Sequence, residues 1–170
     1  MISTRALQVF AGAGACLLIA LSSAAIGFSP RGTSSGAFSQ SAAAREIPAA
    51  NQIEPKQWAE MLAQSKEKPA AVCVGFQFLY TSAHVPGAVY LGPARTDAGL
   101  DLLRKWAEKL PRNKMLLIYC GCCPWDNCPN IHPAFEALRK MGFTRIKVVH
   151  ITQDFDKDWV EQGFPIEKGK

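Results

Sequence analysis

The strongest constraint on the fold is a regular alternation of short apolar runs with segments of helical periodicity. The apolar runs lie at 70–74, 88–91, 115–119 and 145–149. Apolar residues recur at helical spacing in the segments 55–63, 97–110 and 133–141. Strands that alternate with helices predict an α/β fold, in which a parallel sheet is covered by helices on both faces.

Individual residues mark where the predicted helices begin and end. Pro55 suits the first turn of the first helix, because its missing N–H would have no helical partner there. Asp97 is the expected N-cap of the second helix. Gly142 is expected to close the third helix, since glycine readily adopts the left-handed conformation found after many helices.

The amino-terminal segment resembles a secretory signal. One charged residue, Arg5, precedes an apolar stretch from Val9 to about Ala25, and small residues suited to cleavage follow. We therefore assign 1–28 to a signal peptide, with an uncleaved N-terminal anchor as the alternative. Residues 29–51 are rich in Ser, Gly and Ala and are predicted to form a flexible linker, which leaves 52–168 as the folded domain. This organisation predicts a periplasmic or secreted protein that meets a membrane only through an uncleaved amino terminus.

The charge distribution argues against nucleic acid as a partner. The 170 residues carry a formal net charge of +5, and no run of Lys and Arg is longer than two. A nucleic-acid-binding domain usually concentrates basic residues in a patch or stripe. The sequence has no such concentration.

The cysteines point to the chemistry. Four of the six lie within nine residues, directly after the apolar run 115–119: Cys120, Cys122, Cys123 and Cys128. Ligands of parallel sheets bind beyond the carboxyl ends of the strands, so Cys120 is the candidate nucleophile. The loop N–H groups and the start of the next helix are expected to stabilise its thiolate. Gly121 beside it is expected to leave room for a substrate.

Four motifs in register resemble those of the rhodanese (thiosulfate sulfurtransferase) domain family, over about 52–167. They are the turn 82–88, the strand 116–120 that delivers a cysteine, the helix end 137–143, and Trp159 followed by 162–165. The resemblance implies a rhodanese-like, five-stranded parallel sheet and a thiosulfate sulfurtransferase-type enzyme. Its donor would be a small sulfur-containing anion, thiosulfate or polysulfide, and its acceptor a thiol or thioredoxin-like protein. The sulfur would travel as a Cys120 persulfide, and no metal or other cofactor is implied.

The resemblance also assigns roles to the residues around Cys120. The loop that follows would bind the substrate sulfur through its N–H groups; the residues concerned are Gly121, Cys122, Cys123, Trp125 and Asp126. Cys73 and Cys128 would serve as accessory thiols. His84, in the family-like turn, is expected to be structural.

Three departures from the family pattern qualify these roles. Cys73-Val74-Gly75 stands where the family usually has Asp-x-Arg, and the cysteine loop is longer than usual. Asp126 stands six residues after Cys120, where a Cys-x5-Arg phosphatase needs a guanidinium to clamp phosphoryl oxygens. This excludes a phosphatase and weakens the expectation that thiosulfate itself is a good donor.

Other roles for the cysteine loop stay open. Its thiols suit a disulfide, or a soft metal such as Cu(I) or Zn(II), although Cys-x-Cys-Cys-x4-Cys lacks the paired C-x2-C knuckles of structural zinc sites. The alternative function is therefore a metal-binding or thiol-redox module on a catalytically inactive rhodanese scaffold. A Cys73–Cys120 disulfide is a competing resting state if the two strands are neighbours.

Overall fold

A computed structural model describes residues 46–66 and 68–169. The strands are β1 (Gln52–Ile53), β2 (Ala70–Cys73), β3 (Val89–Tyr90), β4 (Leu116–Tyr119) and β5 (Ile146–Val149). The α-helices are α1 (Pro55–Gln64), α2 (Gln77–Ser82), α3 (Asp97–Glu108) and α4 (Ile131–Lys140). Two 3-10 turns, Ala49–Asn51 and Trp125–Asn127, and a π-helical turn, Asp156–Val160, complete the elements. The predicted signal peptide, 1–28, lies outside the described residues.

The five strands form one parallel sheet in the order β1-β5-β4-β2-β3. Helices α3 and α4 cover one face of the sheet through Leu103, Phe135 and Leu138. We call the buried apolar cluster on this face the first core. Helices α1 and α2 cover the other face through Trp58 and Tyr80, the second core. The α/β prediction is confirmed. Among the described residues, no helix is both long enough and apolar enough to cross a membrane.

The central strand β4 fixes the side of the sheet on which the cysteine loop begins. Side chains alternate along a strand, so Ile118 lies in the first core and Tyr119 in the second. Cys120 continues the alternation and lies in the first core. Cys73 of β2 is in register with Tyr119, and its side chain accordingly lies in the second core.

The packed domain begins before the predicted boundary at residue 52. Ile47 is 1% exposed and belongs to the first core. The side-chain amide of Gln52 donates to the Ile47 carbonyl at 2.8 Å, and Ala49–Asn51 forms a 3-10 turn. The predicted linker 29–51 therefore ends earlier than residue 51. The apolar side chain of Ile47 packs in the first core and attaches the segment to the domain.

Two local features differ from the sequence predictions. Thr96, and not Asp97, is the N-cap of α3, because its Oγ1 accepts the Gly99 N–H at 3.1 Å. Asp97 stands in the first turn, where its charge still favours the positive helix end. The short helix α2 was not predicted, since its six residues give too few turns for a periodic signal.

The turn that contains His84 is held by its surroundings. The His84 ring is buried, stacks on Tyr80 with the ring centroids 3.8 Å apart, and places Nδ1 2.8 Å from the Tyr80 carbonyl. The backbone of His84 also pairs with that of Glu167 near the end of the chain. The ring is thus tied to its own element and to the C-terminal segment, in agreement with the structural role expected for it.

Candidate functional site

Four thiols of the cysteine loop lie in contact at the carboxyl end of the sheet. The Sγ atoms of Cys120 and Cys122 are 3.2 Å apart, and those of Cys122 and Cys123 are 3.1 Å apart. The Cys128 sulfur completes a compact group, because the sulfurs of Cys120, Cys122 and Cys128 all lie within 4.8 Å of one another. All five cysteines in the described part of the chain are free. Folding thus brings Cys128, at the far end of the loop, back to the residue where the loop starts.

The four thiols differ in their access to solvent. Cys120 is 3% exposed and Cys128 is 1% exposed, whereas Cys122 and Cys123 are only partly buried. The sequence predicts an accessible nucleophile at Cys120, and its sulfur is instead enclosed. Access to the cluster is through Cys122 and Cys123.

The thiols also differ in acidity. Hydrogen bonds from the Cys120 and Cys122 thiols, and then from the Asn130 and Ile131 backbone amides, hold the pKa of Cys128 well below its ordinary value. At Cys120 the hydrogen bond with Cys122 favours the thiolate, but hydrogen bonding to Cys128, burial and the charge of Cys128 together raise its pKa. Among these four thiols, Cys128 is therefore the one whose thiolate is favoured. The start of the helix stabilises a thiolate as expected, but on Cys128 and not on Cys120.

The outer thiols are weak acids as well. Hydrogen bonding with Cys120 and then with Cys128 raises the pKa of Cys122 above the ordinary value. Burial, followed by hydrogen bonding with Cys122, raises the pKa of Cys123. A thiolate on Cys128 thus disfavours thiolates at its neighbours, through hydrogen bonding and repulsion.

Asn130 is a site residue that the sequence reasoning missed. It is fully buried at the N-cap position of α4, where its side chain makes no cap hydrogen bond. Its Nδ2 donates instead to the Cys120 sulfur at 3.3 Å, and its Oδ1 accepts the Arg95 N–H at 3.0 Å. The signal in the sequence is a lone amide side chain between Pro129 and Ile131, at the start of an otherwise apolar helix face.

Two glycines make room for the backbone around Cys120. A Cβ atom at Gly75 would collide with the Cys120 carbonyl and would lie 3.0 Å from the Cys120 sulfur. The chain just after β2 therefore passes close to Cys120. Gly121 has a φ of +80°, which favours glycine, and a Cβ there would lie 2.9 Å from Phe155. Phe155 thus packs against the second-core side of Gly121, and the room for a substrate beside Cys120 stays a prediction.

The residues predicted to bind substrate lie on two different surfaces. Gly121 and Cys122 line a cavity of about 500 Å³, together with Phe76, Phe155 and the two carboxylates Asp154 and Asp156. Trp125 and Asp126 line a separate open groove beside Cys128 and His132. Cys123 packs against the first core.

The second surface holds the loop in place. The Trp125 N–H donates to the Ile151 carbonyl at 2.9 Å, and the indole meets the His150 ring edge-on. The His132 Nε2 lies 3.1 Å from the Asp126 carbonyl. These contacts give Trp125 and Asp126 a role in shaping the loop.

Cys73 is near Cys120 but does not join the cluster. Its Sγ lies 3.8 Å from the Cys120 carbonyl oxygen and donates to it, while its side chain stays in the second core. Burial raises the pKa of the Cys73 thiol to about 11. A Cys73–Cys120 disulfide would have to join side chains on opposite faces of the sheet, which disulfide geometry opposes.

Comparisons of the chain with known proteins identify the fold. No sequence-family model and no curated protein matches the chain. The Alr3790 protein from Anabaena sp. is 17% identical, with 69% of this chain and 92% of that chain covered and a TM-score of 0.54. The solution structure of the rhodanese-like domain of the same Anabaena protein is 19% identical, with 69% of this chain and 79% of that chain covered and a TM-score of 0.52.

A third solved structure is that of an EanB variant, which carries a cysteine persulfide in a tetrahedral intermediate state with ergothioneine. It is 20% identical, covers 69% of this chain but only 28% of its own, and has a TM-score of 0.53. At these identities the likeness concerns the fold alone. The chain has the fold of rhodanese-like domains, with a cluster of thiols at the end of β4.

Proposed function

We propose that this chain, with its rhodanese-like fold, is an exported sulfurtransferase that carries a sulfane sulfur as a persulfide on Cys120. The observation that carries the proposal is the position of Cys120: it is the first residue after the central strand, with a second thiol 3.2 Å from its sulfur. Parallel sheets bind their ligands at this end. The EanB structure, which bears a cysteine persulfide and of which 28% has a similar fold, supports the same chemistry.

The proposed reaction has two displacement steps. The Cys120 thiolate attacks the outer sulfur of a donor persulfide, R–S–SH; a new S–S bond forms, the donor S–S bond breaks, and its electron pair leaves with R–S⁻. An acceptor thiolate then attacks the outer sulfur of the Cys120 persulfide, and the electron pair of the broken bond returns to Cys120. Atoms and electrons balance without an external oxidant, and the covalent intermediate divides one transfer into two easier steps.

The Cys120 proton and the charge that forms on the Cys120 sulfur are both accounted for in this proposal. The Cys128 thiolate is too weak a base to take the proton, because its pKa is lowered and that of Cys120 is raised, so the proton passes to the departing R–S⁻. The Asn130 amide, 3.3 Å from the Cys120 sulfur, then donates to the anionic form of that sulfur.

Cys122 provides the route by which sulfur reaches Cys120. Cys122 lines the 500 Å³ cavity and touches the Cys120 sulfur, which is itself buried. A sulfane sulfur that enters on Cys122 passes to Cys120 by the same exchange: the new bond to Cys120 forms as the bond to Cys122 breaks. The reverse step delivers sulfur to an acceptor.

The cavity favours a donor of low charge. Asp154 and Asp156 place two carboxylates in its lining, and Arg95 stacks on Phe76, another lining residue, with 5.3 Å from the guanidinium carbon to the ring centroid. The two carboxylates repel the thiosulfate dianion more strongly than a persulfide, which carries at most one negative charge. Of the donors expected from the sequence, we therefore favour persulfides and polysulfides over thiosulfate.

The test is the mass of the loaded protein. The reduced chain is incubated with the persulfide of N-acetylcysteine methyl ester or with thiosulfate, freed of donor, and weighed intact, and the labelled peptide is then identified. We expect one added sulfur atom on Cys120, faster from the neutral persulfide. The Cys73→Ser variant is the matched control and should load normally, because its thiol lies across the sheet.

The result that refutes the proposal is a Cys120→Ser variant that both loads sulfur and passes it to an acceptor thiol at the unaltered rate. Sulfur that loads on Cys122 of this variant but is not passed on would support the route through Cys122. The same intact mass, measured on protein recovered from an exporting host, tests removal of the predicted signal peptide 1–28. A full-length mass in the exported fraction would contradict cleavage.

A further inference from the structure

The cysteine cluster contains thiols that the proposed sulfur route does not use. Transfer between Cys122 and Cys120 uses two sulfurs, yet the Cys128 sulfur also lies within 4.8 Å of both. The three come from separate places in the chain: the end of β4, the following loop and the residues before α4. Such convergence on one point is the arrangement that a metal ion requires of its ligands.

We propose that Cys120, Cys122 and Cys128 form a three-thiolate site for Cu(I). Thiolates are soft ligands that select Cu(I), and the group contains neither imidazole nor carboxylate, which suit harder ions. Binding exchanges the thiol protons for the metal and involves no change in oxidation state. A structural zinc site would call for four ligands in a tetrahedron, and Cys123 is outside the convergent group.

N–H groups around the cluster donate hydrogen bonds to the sulfurs that would carry negative charge as thiolate ligands. The backbone amides of Asn130 and Ile131 donate to the Cys128 sulfur, and the Asn130 side chain donates to that of Cys120. Such outer contacts orient metal ligands and offset the excess negative charge of several thiolates on one monovalent ion. Asn130 is itself fixed by the Arg95 N–H at 3.0 Å, so its donor is held in place before any ion arrives.

Cys122 gives the ion a way in. It is the partly exposed member of the three and lines the cavity beside the cluster, while the other two are buried. An ion delivered by a thiol-bearing carrier reaches Cys122 first and the buried pair afterwards. Copper and sulfane sulfur would then compete for the Cys120 sulfur.

The site is tested by titration of the full reduced chain with Cu(I) in the absence of oxygen, against bicinchoninate as a coloured competing ligand. We expect the protein to withdraw one equivalent of Cu(I). Cys122→Ser and Cys128→Ser should each lower the affinity by at least tenfold, whereas Cys73→Ser, whose thiol lies in the second core, should match the unaltered chain. Circular dichroism of each variant reports whether the fold is kept.

X-ray absorption at the copper edge gives a second readout that does not depend on the variants. Three sulfur neighbours are expected. Two sulfurs, or full Cu(I) affinity in a folded Cys122→Ser chain, would overturn the site. Zn(II) bound in preference to Cu(I) and lost in Cys123→Ser would also overturn it, in favour of a four-thiolate zinc centre. None of these measurements requires persulfide formation, so copper binding and sulfur transfer can fail separately.

Discussion

Replacement of Asn130 tests whether a buried amide supports both the fold and the chemistry of Cys120. The side chain is fully buried, donates to the Cys120 sulfur at 3.3 Å and accepts the Arg95 N–H at 3.0 Å. Asn130→Ala removes both contacts and leaves the Arg95 N–H without its partner. The Arg95 N–H is only partly buried, so the loss of its partner costs about 1 kcal/mol, and the lost donor to sulfur and the space left by the buried amide each add about 1 kcal/mol.

We therefore expect Asn130→Ala to lower the free energy of unfolding by about 2–4 kcal/mol, measured by urea denaturation. For a domain of this size such a change lowers the melting temperature by roughly 10 °C or more. Asn127→Ala is the matched control, because Asn127 lies exposed in the same loop and its replacement should change stability by less than about 0.5 kcal/mol.

Asn130→Asp separates the structural from the chemical contribution. The aspartate keeps an oxygen for the Arg95 N–H but presents no amide donor to the Cys120 sulfur. A hydrogen bond to a charged group is worth about 1.5–3 kcal/mol, so sulfur loading of Cys120 should slow by about tenfold or more in both variants. Stability of Asn130→Ala within about 0.5 kcal/mol of the unaltered chain would refute the burial argument, and loading of Asn130→Asp at the normal rate would refute the role of the donor.

Three further predictions concern the walls of the site. Gly75→Ala should destabilise the domain by about 1–3 kcal/mol in urea denaturation, because the new methyl group meets the Cys120 backbone; an unchanged midpoint would show that β2 and β4 separate freely here. Phe155→Ala should lower the free energy of unfolding by about 3–5 kcal/mol, because it removes a buried aromatic ring. It should also expose Gly121, so iodoacetamide should alkylate Cys120 faster. An unaltered rate would mean that Phe155 does not shield the loop. In the unaltered reduced chain, peptide mapping after brief alkylation should find Cys122 and Cys123 labelled before Cys73, because the first two are partly exposed and Cys73 is buried; early labelling of Cys73 would contradict its enclosure in the second core.

The order of elements and the position of Cys120 could be predicted because their signals are local. The apolar run 115–119 forms β4 as Leu116–Tyr119, and the helical patterns that begin at Pro55 and Asp97 form α1 and α3. An apolar run at the centre of a parallel sheet is buried on both faces, whichever strands flank it. The residue after such a strand must then emerge at the ligand-binding end of the sheet.

Short elements escaped prediction for a related reason. The two residues of β1 and the single-turn helix α2 are too brief for any periodic pattern. Ile47 likewise gives no sign in the sequence that it fastens the chain to the first core. Each is stabilised by contacts with distant residues and hardly at all by its own sequence.

The sequence by itself determined that several thiols follow the central strand of a parallel sheet. Only the tertiary structure decided which of them are enclosed, that a thiolate is favoured on Cys128, and that Asn130 and Gly75 contact Cys120. The acidity and accessibility of a thiol depend on atoms within a few ångströms of its sulfur. Some of those atoms belong to a distant segment, as at Gly75, and others to loop residues that folding brings back to Cys120, as at Cys128 and Asn130, so no local pattern of residues encodes them.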